Sequence, residues 1–181
     1  MTAYRAVDIL LRVVHALAYY GAWIAVIYCV RSDRFLLAAL TGFGVTFLQY
    51  GIACLLGRHS DNPPWNFILW FTALGAGIDS MLSAGQVFVF KGAVFNGWCA
   101  PMWMMGLWCN FSFNLWWGLR HYFNRSRFFA ITAFIGFPAA YASGHYLAVV
   151  QYPYGFWSVC LIGVIWSILL PLRVRSFYQE A

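Results

Sequence analysis

Asp79 is the one acidic residue inside the long apolar segments of a chain in which 63% of residues are hydrophobic and 9% are charged. An ionised carboxylate at the centre of a membrane helix costs at least about 2.5 kcal/mol, so such a group needs a partner and often has a task. Thr72, Ala76, Ser83 and Gln86 recur around it at steps of three and four and would share one small or polar helical stripe. Two other segments repeat the pattern, with Gly42, Thr46, Gln49 and Ala53 on one and Gly106, Asn110 and Asn114 on the other. Polar side chains in a bilayer gain by turning toward other helices, at about 0.6 kcal/mol per hydrogen bond, so these stripes are expected to meet in a shared interior. A later segment offers Tyr141 and His145 beside Pro138, whose ring removes a backbone N–H. A rise of about 1.5 Å per residue puts Asp79 roughly 20 Å and His145 roughly 26 Å above the inner ends of their segments. Both then fall in the outer half, where a pair, or a water-bridged relay through Tyr141, is geometrically allowed. The candidate polar site is therefore Asp79, Ser83, Gln86, Asn110, Asn114, Tyr141 and His145. Asp79 either serves a ligand or locks the helices through hydrogen bonds.

Metal and covalent chemistry find less support. His15 would lie just inside the inner boundary and His145 near the outer one, a mismatch of roughly 20 Å that one haem cannot bridge. His59 and His121 fall in inner loops. The five cysteines show no CxxC spacing, and no HExxH, Walker loop, GxSxG or paired carboxylates occur. No metal or cofactor is expected, and catalysis is left open. Cys29, Cys99 and Cys160 would lie near the outer face, where an oxidising periplasm allows a disulfide among them.

Positioning these residues falls to long apolar helices. Aromatic residues make up 21% of the chain and its mean hydropathy is +0.70, far from a soluble protein with about a quarter of its residues charged. Six segments, near 13–30, 35–56, 66–90, 98–119, 128–150 and 155–172, each approach the roughly 20 residues that cross a hydrocarbon core. They predict an all-α, six-span helix bundle forming a single integral membrane domain, with both termini on one side. The first run is too long for a signal-peptide core and reaches Arg31 without a small-x-small cleavage site, so it reads as a retained span. Placing Arg5, Arg12, Arg58, Arg120, Arg125, Arg127, Arg173 and Arg175 inside, against Arg31, Arg34 and Lys91 outside, predicts N-in and C-in. The net charge of +6 then orients the chain and meets headgroups, and a nucleic-acid face is not expected. Trp65, Trp98, Trp117, Tyr152, Tyr154 and Trp157 fall at segment ends as interfacial anchors, whereas Trp103, Trp108 and Trp166 are expected to pack between helices. Gly136, Ala140 and Gly144 make a small-residue face suited to close helix contact. No internal repeat suggests an inverted-repeat transporter.

Asp79-Ser80, Pro101-Met102-Trp103-Met104 with Leu107-Trp108 and Phe111, Gly136-x-Pro138-x-x-Tyr141-x-x-Gly144, and Trp166 with Leu170-Pro171 follow one another in a characteristic order. In this the chain resembles the bacterial inner-membrane family catalogued as domain of unknown function 2878. The resemblance implies a multi-pass protein of the bacterial inner (cytoplasmic) membrane without an assigned reaction, associated through gene surroundings with cyclopropane-synthase-like fatty-acyl modification. Pro63-Pro64-Trp65 and Asn114-Leu115-Trp116 are also similar to tryptophan-rich sensory proteins that bind porphyrins, although six spans and an acidic third helix fit that family poorly. The expected function is to bind a lipid-like or amphipathic small molecule, or to assist membrane-lipid modification, around Asp79. The alternatives are a non-catalytic subunit of a larger membrane complex and a proton-coupled transporter using Asp79 with His145. The bilayer is the expected partner, joined by another membrane protein or a second copy of the chain.

Overall fold

The computed structural model describes residues 2–57 and 63–180. Arg58 and His59 lie outside the described residues, as does the side chain of Arg5. Six long helices account for most of the chain: α1 (Thr2–Arg31), α2 (Phe35–Leu55), α3 (Trp65–Ala84), α4 (Met102–Leu119), α5 (Ser126–Tyr146) and α6 (Phe156–Glu180). Two short strands, β1 (Val89–Phe90) and β2 (Val150–Gln151), pair antiparallel with Val89 opposite Gln151 and Phe90 opposite Val150. The all-α expectation therefore holds apart from this small clip.

Four helical stretches are long and apolar enough to cross a membrane: Ile9–Arg31, Phe35–Leu55, Trp65–Ala84 and Phe156–Phe177. The chain is a multi-pass membrane protein. The expected fourth and fifth spans are helices, but Asn110, Ser112 and Asn114 dilute the apolar character of α4, and Ser126, Arg127, Thr132, Ser143 and His145 that of α5.

The chain forms two compact units, one of Met1–Ala76 with Met102–Leu119 and the other of Gly77–Pro101 with Arg120–Ala181; α3 runs from the first into the second. In the first unit α2 and α4 meet at two glycines. A Cβ on Gly42 would lie 2.7 Å from the carbonyl carbon of Gly106, so the backbones touch and only hydrogen fits between them. The Trp108 ring fills the notch beside Gly75, where a Cβ would come within 2.1 Å. Ala53, Ile68, Cys109, Phe113 and Trp117 form a buried apolar cluster nearby.

In the second unit α5 packs on α6, but not through the expected small-residue face. Gly136 and Ala140 are exposed, and nothing lies within 4 Å of a Cβ built on Gly136. The contact instead seats the Pro138 ring against Gly163, where a Cβ would lie 2.8 Å from Pro138 Cγ and 3.1 Å from the Phe134 carbonyl oxygen. That carbonyl is the one Pro138 cannot bond, so the missing helix bond and the glycine notch coincide. Phe137 stacks on the buried Trp166 ring, with centroids 4.7 Å apart. Large rings bury more area than a strip of glycine and alanine, which explains the choice of face.

Helix ends differ from the expected span limits, and the reason is local. The third segment stops at Ala84 instead of running to 90, because Gln86 takes a left-handed conformation (φ 59°) and Val87 N–H bonds back to the Leu82 carbonyl. The fifth stops at Tyr146 instead of 150 by the same device, with Ala148 at φ 59° and Val149 N–H on the Gly144 carbonyl. Both are Schellman ends, a motif that usually announces itself through glycine at the left-handed position. With Gln and Ala there, the sequence hides the stop, and each helix feeds directly into one strand of the clip.

Candidate functional site

Asp79 is completely buried near the end of α3, and the Tyr141 hydroxyl from α5 donates to its Oδ1. The ends of α3 and α5 bring these two groups together, and the clip supplies rings that pack on Tyr141. Phe88 stacks on the Tyr141 ring with centroids 5.0 Å apart, and Phe90 meets it edge-on at 6.5 Å. Tyr152, just after β2, packs against Phe88 at 5.5 Å. Its hydroxyl is buried with no hydrogen-bond partner among the described residues, and burial pushes its phenol above the ordinary range. A carboxylate and a phenol sharing a hydrogen bond amid aromatic faces can exchange a proton or turn toward a polar headgroup.

The other candidates of this unit hold the loops. Ser83 Oγ donates to the Gly97 carbonyl at 2.6 Å, and Ser80 Oγ accepts from the Ala100 N–H at 3.0 Å, tying the segment before α4 to the last turns of α3. Gln86 does not join the interior: it is exposed, with Nε2 3.4 Å from the Ser83 carbonyl, because α3 ends before it. His145 is likewise not on the Asp79 face. It is exposed at the end of α5, its Nδ1 donates to the Val150 carbonyl at 3.1 Å, and its ring stacks on Tyr152 at 4.7 Å. The turn at Ala148 folds β2 back over the imidazole and takes up that side of the ring.

Asn110 and Asn114 belong to a second polar group, inside the first unit. Asn110 Nδ2 donates to Thr46 Oγ1 at 3.1 Å and to Gln49 Oε1 at 2.9 Å, and Asn114 Nδ2 reaches the same oxygen at 3.4 Å. Of the three polar stripes expected to share one interior, those of the second and fourth segments meet here. Gln49 Nε2 turns to His15, donating to its main-chain carbonyl at 3.0 Å and lying 3.2 Å from its Nδ1. If Nδ1 accepts, the ring proton sits on Nε2, which is buried without a hydrogen-bond partner among the described residues, as is Asn110 Oδ1. Phe113 and Trp117 flank the imidazole, at 5.3 and 4.6 Å between centroids.

His15, Phe88, Phe90 and Tyr152 are the site residues that stripe spacing does not reveal. For Phe88 and Phe90 a signal exists: Val87-Phe88-Val89-Phe90 is a β-branched and aromatic run before Lys91-Gly92, which favours a strand over a helix end. For His15 there is none, since its partner lies 34 residues away. Trp103, Trp108 and Trp166 are buried in packing roles, as expected. Cys29, Cys99 and Cys160 are free thiols, so no disulfide joins them. Among the described residues no three His, Cys, Asp or Glu side chains come together as a metal-ligating group.

No curated protein matches the chain, and no solved structure does. The family described as Protein of unknown function (DUF2878) matches residues 12–172, which takes in the first two helices as well as the motifs from Asp79 onward. With that match covering nearly the whole length, the chain belongs to the DUF2878 family.

Proposed function

We propose that this is a bacterial inner-membrane protein that binds a lipid-like or amphipathic small molecule at Asp79 and Tyr141, or assists fatty-acyl modification of membrane lipids there. The observation that carries this reading is a fully buried carboxylate paired with a phenol beneath the aromatic clip. Such a pair can hydrogen-bond a hydroxyl, amine or ester headgroup, while the Phe88, Phe90 and Tyr152 rings suit an alkyl chain. Strands of two residues make the clip the part of its unit that opens at least cost, and so a route for the ligand. In the proposed orientation all six helices cross, both termini lie inside, and the clip faces outward.

Untargeted lipid mass spectrometry of the purified protein, alongside lipid extracts of a deletion strain, tests this. An amphipathic molecule should copurify with the wild type and be lost from Asp79→Asn while that variant remains folded in detergent. No copurified molecule together with an unchanged lipid profile would rule it out.

The exposed Gly136 and Ala140 face favours a second reading, a membrane subunit that docks a partner helix there. A mild-detergent pull-down yielding the lone chain would count against it. Proton-coupled transport relied on His145 facing Asp79, and His145 is engaged by Val150 and Tyr152.

A further inference from the structure

We infer that the groove between the start of α5 and the end of α6 binds an anionic phospholipid, with its phosphodiester on Arg127 and Arg175. The groove holds about 380 Å³ and is lined by Ser126, Arg127 and Ala130 from α5 and by Ile168, Leu172 and Arg175, among others, from α6. Arg127 and Arg175 thus border one small, mostly apolar space whose lining contains no acidic side chain. Neither has an ion-pair or hydrogen-bond partner among the described residues, in contrast to Arg12, Arg31, Arg120 and Arg173, which do interact. Two positive side chains at one groove with no acidic residue in its lining favour an anion there. The first turn of α5 adds to the attraction: Arg125 at its N-cap makes no side-chain cap, so the leading N–H groups point toward the same end of the helix pair.

The remaining lining selects a lipid over a free anion. Ala130, Ile168 and Leu172 continue the groove as an apolar wall beside the arginines, where an acyl chain gains and inorganic phosphate gains nothing. Arg175 lies at the end of the apolar stretch Phe156–Phe177, the depth at which long basic side chains reach headgroups. Basic pockets between helices at such a boundary are the usual means of holding an acidic headgroup. The inference is independent of the role assigned to Asp79.

The test uses the full chain, delipidated in dodecyl maltoside, with native mass spectrometry after separate addition of dioleoyl phosphatidylglycerol, dioleoyl phosphatidylcholine and inorganic phosphate. Phosphatidylglycerol should be retained in preference to phosphatidylcholine, and inorganic phosphate should fail to displace it. The double variant Arg127→Gln, Arg175→Gln should bind phosphatidylglycerol roughly thirtyfold more weakly, as expected for removing two near-surface guanidiniums. Arg34→Gln, a charge outside the groove, should leave binding unchanged. Equal retention of phosphatidylcholine, displacement by inorganic phosphate, or wild-type binding by the double variant would each overturn the proposal. Should the double variant not fold, Arg175→Gln, at an exposed position, carries the same test with a loss of about fivefold.

Discussion

Tyr141 does for Asp79 what water would do outside a membrane, offering a donor to an oxygen that has no solvent. Removing that donor takes away one buried hydrogen bond, so Tyr141→Phe should lower stability by about 0.5–1.5 kcal/mol in detergent unfolding. Asp79→Asn keeps an oxygen that accepts from the phenol and should cost less. If both changes proved neutral, the pair would not be what holds α3 to α5. Tyr152 presents the opposite case, a phenol whose buried hydroxyl has no hydrogen-bond partner among the described residues. Its folded-state pKa is raised by burial above the ordinary value of about 10, so the protonated form favours the fold. The resulting stabilisation is complete below about pH 10 and is lost as pH climbs toward the higher folded value. The gap between thermal midpoints at pH 8 and pH 10.5 should therefore be wider for the wild type than for Tyr152→Phe. Because Phe also removes an unpaired hydroxyl from a buried place, that variant should be no less stable at pH 8.

Helix ends and crossings carry the next set of consequences. Gln86 and Ala148 hold left-handed backbone that L side chains adopt at a cost of about 1–2 kcal/mol, of which glycine's greater unfolded freedom takes back about 0.5–1 kcal/mol. Ala148→Gly should thus stabilise by about 0.5–1 kcal/mol in a denaturation series, and destabilisation would contradict the Schellman assignment. The α2–α4 crossing runs the other way. A Cβ on Gly42 meets backbone of Gly106, which cannot rotate aside, so Gly42→Ala should cost about 1–3 kcal/mol or more, whereas Gly21→Ala, with nothing within 4 Å, should not. These same features decide what could be read beforehand. The polar stripes of the second and fourth segments meet as their four-residue spacing implies, because periodicity reports a helix face directly. The ends of the third and fifth segments were hidden because their stop residues are Gln and Ala.

At the scale of the whole chain, the distribution of basic residues sets an orientation that labelling can read. Lys91→Cys, between β1 and the α4 approach, and Arg125→Cys, before α5, should label differently with a membrane-impermeant maleimide on a background lacking the five native cysteines. Labelling of Lys91→Cys in intact spheroplasts, and of Arg125→Cys after lysis alone, is the expected outcome of the charge arrangement. The reverse pattern would invert the proposed topology and put the clip on the inner side.

Run length and composition already dictate a multi-pass helical membrane protein, because the cost of unsatisfied backbone in hydrocarbon leaves a long apolar segment no other stable form. They also single out Asp79, because one acid among apolar residues is conspicuous whatever surrounds it. Its partner is another matter. Tyr141 lies 62 positions away and His15 lies 34 from Gln49, and such pairings depend on how helices rotate and cross, which local spacing does not encode. The same holds for the aromatic clip and for the arginine-lined groove. Each exists because two distant helix ends are brought side by side, and that is settled by packing at Pro138 and Gly163 and by two unannounced turns.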